Sequence, residues 1–446
     1  MPKLLSHLNP PAGLLLPSCN YPSLIQSAPV LVMNVFPFLL LTIAAALLGS
    51  SSTPALDWPQ WRGPLRNDVS AEKGLLKTWP TSGPRKLWQF ENAGMGYAGY
   101  SVVNGRLYTC GARDTTEMVI AIDIQTGREV WATPLGERYP NNWGDGPRST
   151  PTVDGDYVFA LGAKGTLACF QSADGKQVWQ ASMVELGGKI PGWGYCESPL
   201  VDGDQVVCTP GGDKGAIAAL DKRTGKVRWQ TTGFTDGAHY PSIVPATIRG
   251  APQYVQLTAN SIVGVGPTDG KVLWKTGFSG RVAVIPTPIV AGDQVYVSAG
   301  YGTGCKSVRL GEDGQPVLLY ENKVMKNHHG GVILYGDHLY GYSDEIGWVC
   351  QDFKTGEQVW SSKNLGKGAV TCADGMLYLI SEGDGTVVMI DASPKGWSEK
   401  GRFKLTPPTT QRKPQGRIWT HPVVSGGKLF LRDQELVSCF DVQTQH

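Results

Sequence analysis

Residues able to bind ligands or move protons are concentrated in a few irregular segments of the chain. Four of the seven histidines fall in three short phrases, HYP, KNHH and RIWTH, which begin at positions 239, 326 and 417. Their neighbours are aromatic, arginine and carboxylate side chains, which can stack on rings, pair with charges and act as general acids or bases. The candidate site residues are Tyr97, Asn142, Trp143, Asp145, Arg148, Trp193, Tyr195, Glu197, His239, Tyr240, Asn327, His328, His329, Arg417, Trp419 and His421.

These residues admit three interpretations. They could fill a cavity and satisfy one another's hydrogen bonds, form a surface that binds a protein or peptide, or bind a small ligand for catalysis. No residue is assigned as catalytic. The adjacent His328 and His329 do not predict a metal site, because neighbouring side chains on a strand point to opposite faces. No set of Asp, Glu or Cys residues with metal-ligand spacing accompanies them.

A repeated phrase predicts the elements that position these residues. AIDIQTGREVW at residues 121–131 returns as ALDKRTGKVRW at residues 219–229, and weaker copies end at Trp179, Trp274 and Trp360. Apolar runs followed by Asx-Gly, as at Asn104-Gly105, lie between the copies, and this is a strong hairpin signal. Each period therefore holds four short strands, which predicts an all-β propeller of four-stranded antiparallel blades.

The copies predict eight blades, and seven blades with an irregular insert is the alternative. The C-terminal region supplies three strands and the region of Trp88 supplies a lone fourth, so their pairing should close the ring. The recurring tryptophans are assigned to packing between blades and not to chemistry. The last-strand positions are Trp88, Trp131, Trp179, Trp229, Trp274, Tyr320, Trp360 and about Phe403.

Strand order decides which loops share a face. The first-to-second and third-to-fourth connections are tight glycine turns on one face, here named the turn face. The second-to-third and blade-to-blade connections emerge on the opposite face, here named the loop face. The candidate residues lie in connections of the loop face, where function on a rigid scaffold tends to reside. They are therefore predicted to converge at the mouth of an axial funnel.

Composition and hydropathy divide the chain into a leader (1–52), an extended N-terminal strap (53–84) and a single propeller (85–446). The apolar run at residues 30–48 is typical of a secretory signal, and synthesis beginning at Met33 would explain its weak basic flank. An uncleaved membrane anchor is the alternative. Export to the periplasm or cell envelope is expected. Net charge is +2 without a basic run, which argues against nucleic-acid binding.

The cysteines do not predict a dense disulfide framework. Cys169, Cys350 and Cys439 share one small position of the repeat, where a free thiol packs as a small hydrophobe. Cys196 and Cys208 flank one hairpin and are the best candidate pair. Their disulfide state stays open.

The repeat Ala-x-Asp-x-x-Thr-Gly-x-x-x-Trp resembles the tryptophan-docking motif of the PQQ-like (quinoprotein-type) β-propeller family, over about residues 88–442. The phrases WPQWRGP and GWGYCESPLVDGD resemble exported bacterial PQQ-binding-like, or BamB-like, repeat proteins. The chain could belong to either of two branches of this family.

The dehydrogenase branch implies pyrroloquinoline quinone on the axis with Ca²⁺, held by oxygen ligands. Glu197, Asn142 or Asn327, and Asp145 could supply such ligands, and Trp193 or Trp419 could stack on the quinone. The chain lacks the adjacent Cys-Cys pair of methanol-type enzymes and any Cys-x-x-Cys-His motif for haem.

The BamB-like branch implies no cofactor and a loop face that binds protein partners. The chain departs from it in lacking a lipobox cysteine. The expectation is a monomeric, non-catalytic scaffold that binds an envelope protein or peptide over the funnel and contacts the membrane only through an uncleaved leader. The alternative is a soluble alcohol or sugar dehydrogenase dependent on pyrroloquinoline quinone and Ca²⁺.

Overall fold

The computed structural model describes residues 57–444, and every regular element in that range is a β-strand. The predicted leader (1–52) lies outside the described residues. The strands form eight sheets, and β1 (Val69–Ser70) and β2 (Lys86–Phe90) come first along the chain. Blades 1 to 4 are β3–β6 (Ser101–Val103, Arg106–Arg113, Thr116–Asp123, Glu129–Glu137), β7–β10 (Thr152–Asp154, Tyr157–Leu161, Thr166–Gln171, Gln177–Ser182), β11–β14 (Leu200–Asp202, Gln205–Cys208, Ala218–Asp221, Val227–Gln230) and β15–β18 (Val244–Ile248, Ala251–Leu257, Ser261–Val265, Val272–Gly277).

The second half of the ring follows the same plan. Blades 5 to 8 are β19–β22 (Ile289–Ala291, Gln294–Ala299, Gly304–Leu310, Pro316–Asn322), β23–β26 (Val332–Tyr335, His338–Ser343, Gly347–Asp352, Gln358–Ser362), β27–β30 (Gly368–Ala373, Met376–Ser381, Thr386–Asp391, Glu399–Lys404) and β31–β33 (Val423–Ser425, Lys428–Asp433, Leu436–Asp441) with β2. The eight-bladed propeller is confirmed, and the seven-bladed alternative is wrong.

Blade 8 closes the ring as predicted. Its strand order is β2-β33-β32-β31, and β2 pairs antiparallel with β33 so that Trp88 lies opposite Cys439. The first and last parts of the propeller are thus joined by main-chain hydrogen bonds, which leaves no unpaired strand at the junction.

The Asx-Gly turns have the backbone that the hairpin signal requires. Asn104 and Gly105 both adopt positive φ, at 50° and 76°, as a type I′ turn demands. The turn joins β3 to β4 in register, with Val103 opposite Arg106. Tight turns of this kind leave the turn face short and regular, so the irregular segments are on the loop face.

Four of the recurring tryptophans pack on the Gly turn of the next blade. Trp131 donates its indole N–H to the carbonyl of Ser172, and a Cβ at Gly175 would lie 2.5 Å from its ring. Trp88, Trp179 and Trp229 repeat this contact on Gly127, Gly225 and Gly270. Trp274 and Trp360 differ from these. Trp274 donates to Gln253 of its own blade, and Trp360 donates to the carbonyl of Ser393 in the next blade without a glycine contact. These contacts fix the angle between neighbouring blades.

All eight described cysteines are free thiols, including Cys196 and Cys208. The candidate disulfide is therefore absent from the structure. Cys169, Cys350 and Cys439 are fully buried between blades, as their repeat position indicates.

The segment at residues 58–70, here named the plug, occupies the axis of the ring. Trp58 exchanges two main-chain hydrogen bonds with Val102 of β3, and the carbonyl of Pro59 accepts from Val153 of β7. At its other end β1 pairs parallel with β27, with Val69 opposite Cys372. The first strands of consecutive blades contact one another around this segment. The plug therefore binds the innermost strands directly.

Two buried arginines connect the plug to three further blades, blades 3, 4 and 6. Arg66 donates to the carbonyls of Ser198, Pro199 and Ile243, at the entries to β11 and β15. Arg62 donates to the carbonyl of Val332 in β23 and forms an ion pair of 3.1 Å with Asp68. Main-chain carbonyls at the axis are thus satisfied by guanidinium groups, as buried polar groups require.

Candidate functional site

A cavity of about 440 Å³ opens on the loop face above the plug. It is here named the funnel pocket. Its wall is mostly apolar and aromatic, and Trp61 and Arg62 of the plug contribute to its lining. The other lining residues come from loops of seven blades: Tyr97, Trp143, Arg148, Trp193, Cys196, Ser198, Tyr240, Ser242, Val282, Ala283, Ile285, Pro286, Thr287, Tyr301, His328, His329, Gly331, Trp419 and His421.

Nine of the sixteen candidate residues line this pocket: Tyr97, Trp143, Arg148, Trp193, Tyr240, His328, His329, Trp419 and His421. Seven do not: Asn142, Asp145, Tyr195, Glu197, His239, Asn327 and Arg417. His239 accepts from the backbone N–H of Val284 through Nδ1, and Tyr195 donates to the carbonyl of Pro210. These two residues shape the loops that carry the lining.

One wall of the pocket is a stack of aromatic rings held by glycine. Trp419 lies with its ring centre 4.8 Å from that of Tyr97 and 6.2 Å from that of Trp143. Tyr97 donates its hydroxyl to the carbonyl of Trp143. Gly144 has φ of 136°, and a Cβ there would lie 2.1 Å from the Tyr97 hydroxyl. Only glycine allows this approach.

Arg148 is fixed at the edge of this wall. Its guanidinium donates to the carbonyls of Gly144 and Gly146 and lies 5.6 Å from the ring centre of Tyr97 and 5.4 Å from that of Tyr139. Cation–π contacts and two hydrogen bonds hold the side chain in place.

His328 and His329 form an adjoining part of the wall, and their rings lie 4.3 Å apart. The prediction that their side chains point to opposite faces is wrong, because both residues lie in an irregular connection between β22 and β23 and not in a strand. Tyr301 packs edge-on against His328, and Trp419 against His329. The described residues contain no cluster of three potential metal ligands.

Charged side chains behind the histidines complete this wall. Lys367 lies 2.8 Å from His328 Nδ1 and 2.6 Å from Asp344, while Glu382 lies 3.2 Å from His329 Nε2. Burial and the Lys367 charge lower the pKa of His328 to about 4. Burial and the adjacent histidine lower the pKa of His329 well below its usual value. Both imidazoles are therefore neutral near pH 7.

Two of the proposed oxygen ligands for Ca²⁺ have their carboxylate oxygens engaged by other groups of the protein. Glu197 accepts from the backbone and hydroxyl of Thr209 beside Gln256, and burial raises its pKa to about 7. The carboxylate of Asp145 is shared by Arg138 and Lys413.

Asn327 donates its amide N–H groups to the carbonyls of Gly331 and Tyr342, whereas its Oδ1 is buried without a hydrogen-bond partner and the residue does not line the pocket. Asn142, the other proposed amide ligand, is exposed and does not line the pocket. None of the four proposed oxygen ligands lines the pocket in which the quinone would lie. These residues do not fit the quinone and Ca²⁺ together.

Several site residues were not identified from the sequence. Thr287 and its apolar neighbours follow Trp274 in a blade-to-blade connection, and Asp344 and Glu382 lie in second-to-third-strand connections. The strand-order rule places all of these connections on the loop face, so it could have found them. Trp61 had no comparable signal, because it belongs to no repeat.

Comparisons with known proteins agree with this architecture. The family model described as outer membrane protein assembly factor BamB matches residues 80–182 and 115–362. The chain is 24% identical over 217 residues to BamB of Burkholderia pseudomallei, which covers 46% of this chain and 49% of that protein. It is 24% identical over 332 residues to BamB of Salmonella typhimurium, which covers 63% of this chain and 81% of that protein. The chain thus spans about half the length of the first relative.

A solved structure shares the fold alone. Quinohemoprotein alcohol dehydrogenase from Comamonas testosteroni superposes with a TM-score of 0.57 at 13% identity, over 88% of this chain and 81% of that one. At residues 57–444, the structure has no helix long and apolar enough to span a bilayer.

Proposed function

The chain belongs to the family of the outer membrane protein assembly factor BamB, and we propose that it is a non-catalytic interaction scaffold of the cell envelope whose partner binds over the funnel pocket. One observation carries the proposal. The loop face carries a concave pocket built of aromatic side chains, and its arginine and serine side chains form hydrogen bonds with the main chain of the protein. Pockets of this composition act as anchors for partner side chains.

The nucleophile candidates of the lining are not activated. Burial raises the pKa of the Cys196 thiol to about 12, so the thiolate is absent near neutral pH. The hydroxyl of Ser198 accepts from the backbone of Thr150, and that of Ser242 accepts from the backbone of Ser198. These hydroxyls therefore act as structural links between neighbouring loops.

Export to the periplasm or cell envelope is part of the proposal. It is supported by the apolar run at residues 30–48 and by relatives named for assembly of the outer membrane. The proposed protein needs no cofactor, acts as a monomer, and contacts the membrane only through its leader if that leader is retained. The alternative, a quinone- and Ca²⁺-dependent dehydrogenase, lacks a favouring observation at the pocket, because none of its proposed oxygen ligands lines the pocket.

The test is crosslinking and affinity capture of the full chain in envelope preparations. Replacing Trp143 and Trp193 with alanine together should abolish capture of the specific partner. Replacing the exposed Val130 and Val227 of the outer strands with alanine should leave capture intact. Retention of every partner by the tryptophan variant would overturn the proposal. Dye-linked alcohol oxidation after reconstitution with pyrroloquinoline quinone and Ca²⁺ would establish the alternative.

A further inference from the structure

The funnel pocket combines an aromatic wall with a cationic mouth. Building on the proposed scaffold function, we infer that it binds an extended partner segment in which an aromatic side chain is flanked by carboxylates. The aromatic ring occupies the pocket, and the carboxylates pair with arginines at its mouth. The argument rests on the size of the pocket, on three arginines without a carboxylate partner and on the apolar rim.

The size and lining of the pocket fit a ring. A cavity of about 440 Å³ holds an indole or phenol group together with part of its main chain. The ring centre of Trp419 lies 4.8 Å from that of Tyr97 and 6.2 Å from that of Trp143 on one wall. Trp193 packs edge-on against Tyr240 in another part of the lining. A ring placed between these walls can stack in the offset or edge-on geometries that aromatic pairs prefer.

Three arginines at or beside the mouth have no carboxylate partner. Among residues 57–444, no carboxylate lies within ion-pair distance of Arg148, Arg281 or Arg417. Arg148 lines the pocket, Arg281 directly precedes the lining residue Val282, and Arg417 lies two residues before Trp419. Arg281 and Arg417 are exposed.

Most carboxylates near the mouth are already neutralised. Asp145 is shared by Arg138 and Lys413, and Asp344 pairs with Lys367. Glu382 contacts a neutral histidine and the indole N–H of Trp419, and burial raises its pKa against the lowering effect of the nearby Lys367 and Arg417 charges. The mouth therefore keeps an excess of positive charge, although the whole chain carries only +2. A carboxylate-bearing ligand complements this charge.

The apolar surface continues outside the pocket, which favours a macromolecular partner over a free aromatic acid. Trp143 and Val282 belong to the lining, yet they are 42% and 50% exposed. Ile190, in the loop that carries Trp193, is 43% exposed. A small ligand inside the pocket would leave this rim in water, whereas a peptide segment crossing the mouth would cover it.

The test uses three dye-labelled peptides with the purified full chain and fluorescence anisotropy. The first has one tryptophan between aspartates, the second has alanine in place of that tryptophan, and the third has lysines in place of the aspartates. The first should bind at least about tenfold more tightly than the others, and rising salt should weaken it. Equal affinity for all three peptides, or no binding at millimolar concentration, would overturn the inference.

Two protein variants locate the binding. Arg281→Gln with Arg417→Gln should weaken the first peptide about tenfold, because two attractive charges are removed. Arg249→Gln, an exposed arginine on the turn face that pairs with Asp293, is the matched control and should leave binding unchanged. Equal loss in both variants would contradict a site at the mouth.

Two further comparisons distinguish a peptide site from a small-molecule site, and this inference from the scaffold function. Indole-3-acetate, a free aromatic acid, should bind more weakly than the first peptide, and equal binding would instead indicate a small-molecule site. If the Trp143 and Trp193 variant loses its envelope partner while the peptides are not distinguished, the scaffold function stands and this inference fails. If capture is unaffected, the scaffold function itself fails.

Discussion

The indole N–H of Trp61 donates a hydrogen bond of 3.0 Å to the hydroxyl of Thr287, which lies 226 residues further along the chain. Trp61 also packs against His421, with ring centres 4.7 Å apart. The N-terminal plug is thereby bound to blades 5 and 8 at the base of the funnel pocket. The pocket is therefore lined both by the blades and by a segment outside the repeats.

Removing the acceptor of this hydrogen bond should weaken the fold modestly. Thr287→Val keeps the shape of the side chain and leaves the indole N–H without its partner. We expect a loss of about 1 kcal/mol in the free energy of unfolding, as for a typical hydrogen bond. Urea unfolding followed by tryptophan fluorescence measures it. An unchanged midpoint would show that another group replaces the threonine hydroxyl.

Removing the Arg66 side chain should lower the free energy of unfolding far more than Thr287→Val does. Arg66→Met leaves the carbonyls of Ser198, Pro199 and Ile243 without their donors and the buried Glu197 without its counter-charge. Breaking such a buried arrangement costs about 3–5 kcal/mol. Thermal unfolding and hydrogen exchange of residues 58–70 report the loss.

The neighbouring Leu65 provides the control for Arg66. Its side chain is 75% exposed, so Leu65→Ala should change the free energy of unfolding by less than about 0.5 kcal/mol. Similar effects of the two substitutions would contradict the role of the plug as a buried connector between blades.

Two glycines with similar backbones test the tryptophan contact between blades. Gly105 has φ of 76° and open space within 4 Å of the position that a Cβ would take, whereas at Gly127, with φ of 68°, a Cβ would lie 2.6 Å from the Trp88 ring. Gly105→Ala should lower the free energy of unfolding by about 1 kcal/mol, because alanine is strained in the left-handed backbone conformation. Gly127→Ala should cost a further ~1–3 kcal/mol from overpacking against Trp88. Equal costs in chemical denaturation would show that the ring moves away freely.

The free energy of unfolding should depend on the protonation of His328. Its folded-state pKa is about 4, below the ordinary value of 6.5, so the unfolded chain takes up the proton first as pH falls. The stabilising contribution is complete above about pH 6.5 and declines towards pH 4, with a loss of about 1–2 kcal/mol at pH 5. His328 faces Lys367, His329 and Tyr301, and Lys367 adds to the cost of protonation.

His328→Gln removes this titration. Urea unfolding of both proteins at pH 7 and pH 5 isolates the contribution, because the raised pKa of Glu382 acts in the opposite direction in both proteins. We expect the unfolding free energy of the variant to fall less between the two pH values. An equal fall in both proteins would assign the pH dependence to other groups.

The sequence was sufficient to predict the ring because each blade repeats the same local signals. The Asx-Gly turn at Asn104-Gly105 and the Thr-Gly turn at Gly127 can each be recognised from a few neighbouring residues in the sequence. The closure by β2 followed from counting strands at the two ends. Local and periodic information of this kind does not depend on long-range packing.

The site was predicted only in part because its chemistry depends on contacts across the axis. Knowledge of strand order placed Trp143, Trp193 and Trp419 on one face, and they meet at one pocket. It did not indicate that Glu197 is buried against Thr209, or that His328 and His329 lie side by side. The segment of Trp61 was expected to form an extended strap, and nothing in its composition indicates contacts with the axial strands.

The plug also constrains the order in which this chain can fold. Asp68 contacts His421 across 353 residues of sequence, and Arg66 depends on blades 3 and 4. Residues 58–70 are synthesised before every blade, yet they cannot complete their contacts until blade 8 exists. Contacts of such long range are slow to form, because chain entropy is lost before they are gained. We therefore expect the last step of folding to be the insertion of residues 58–70 along the axis, after blade 8 has formed.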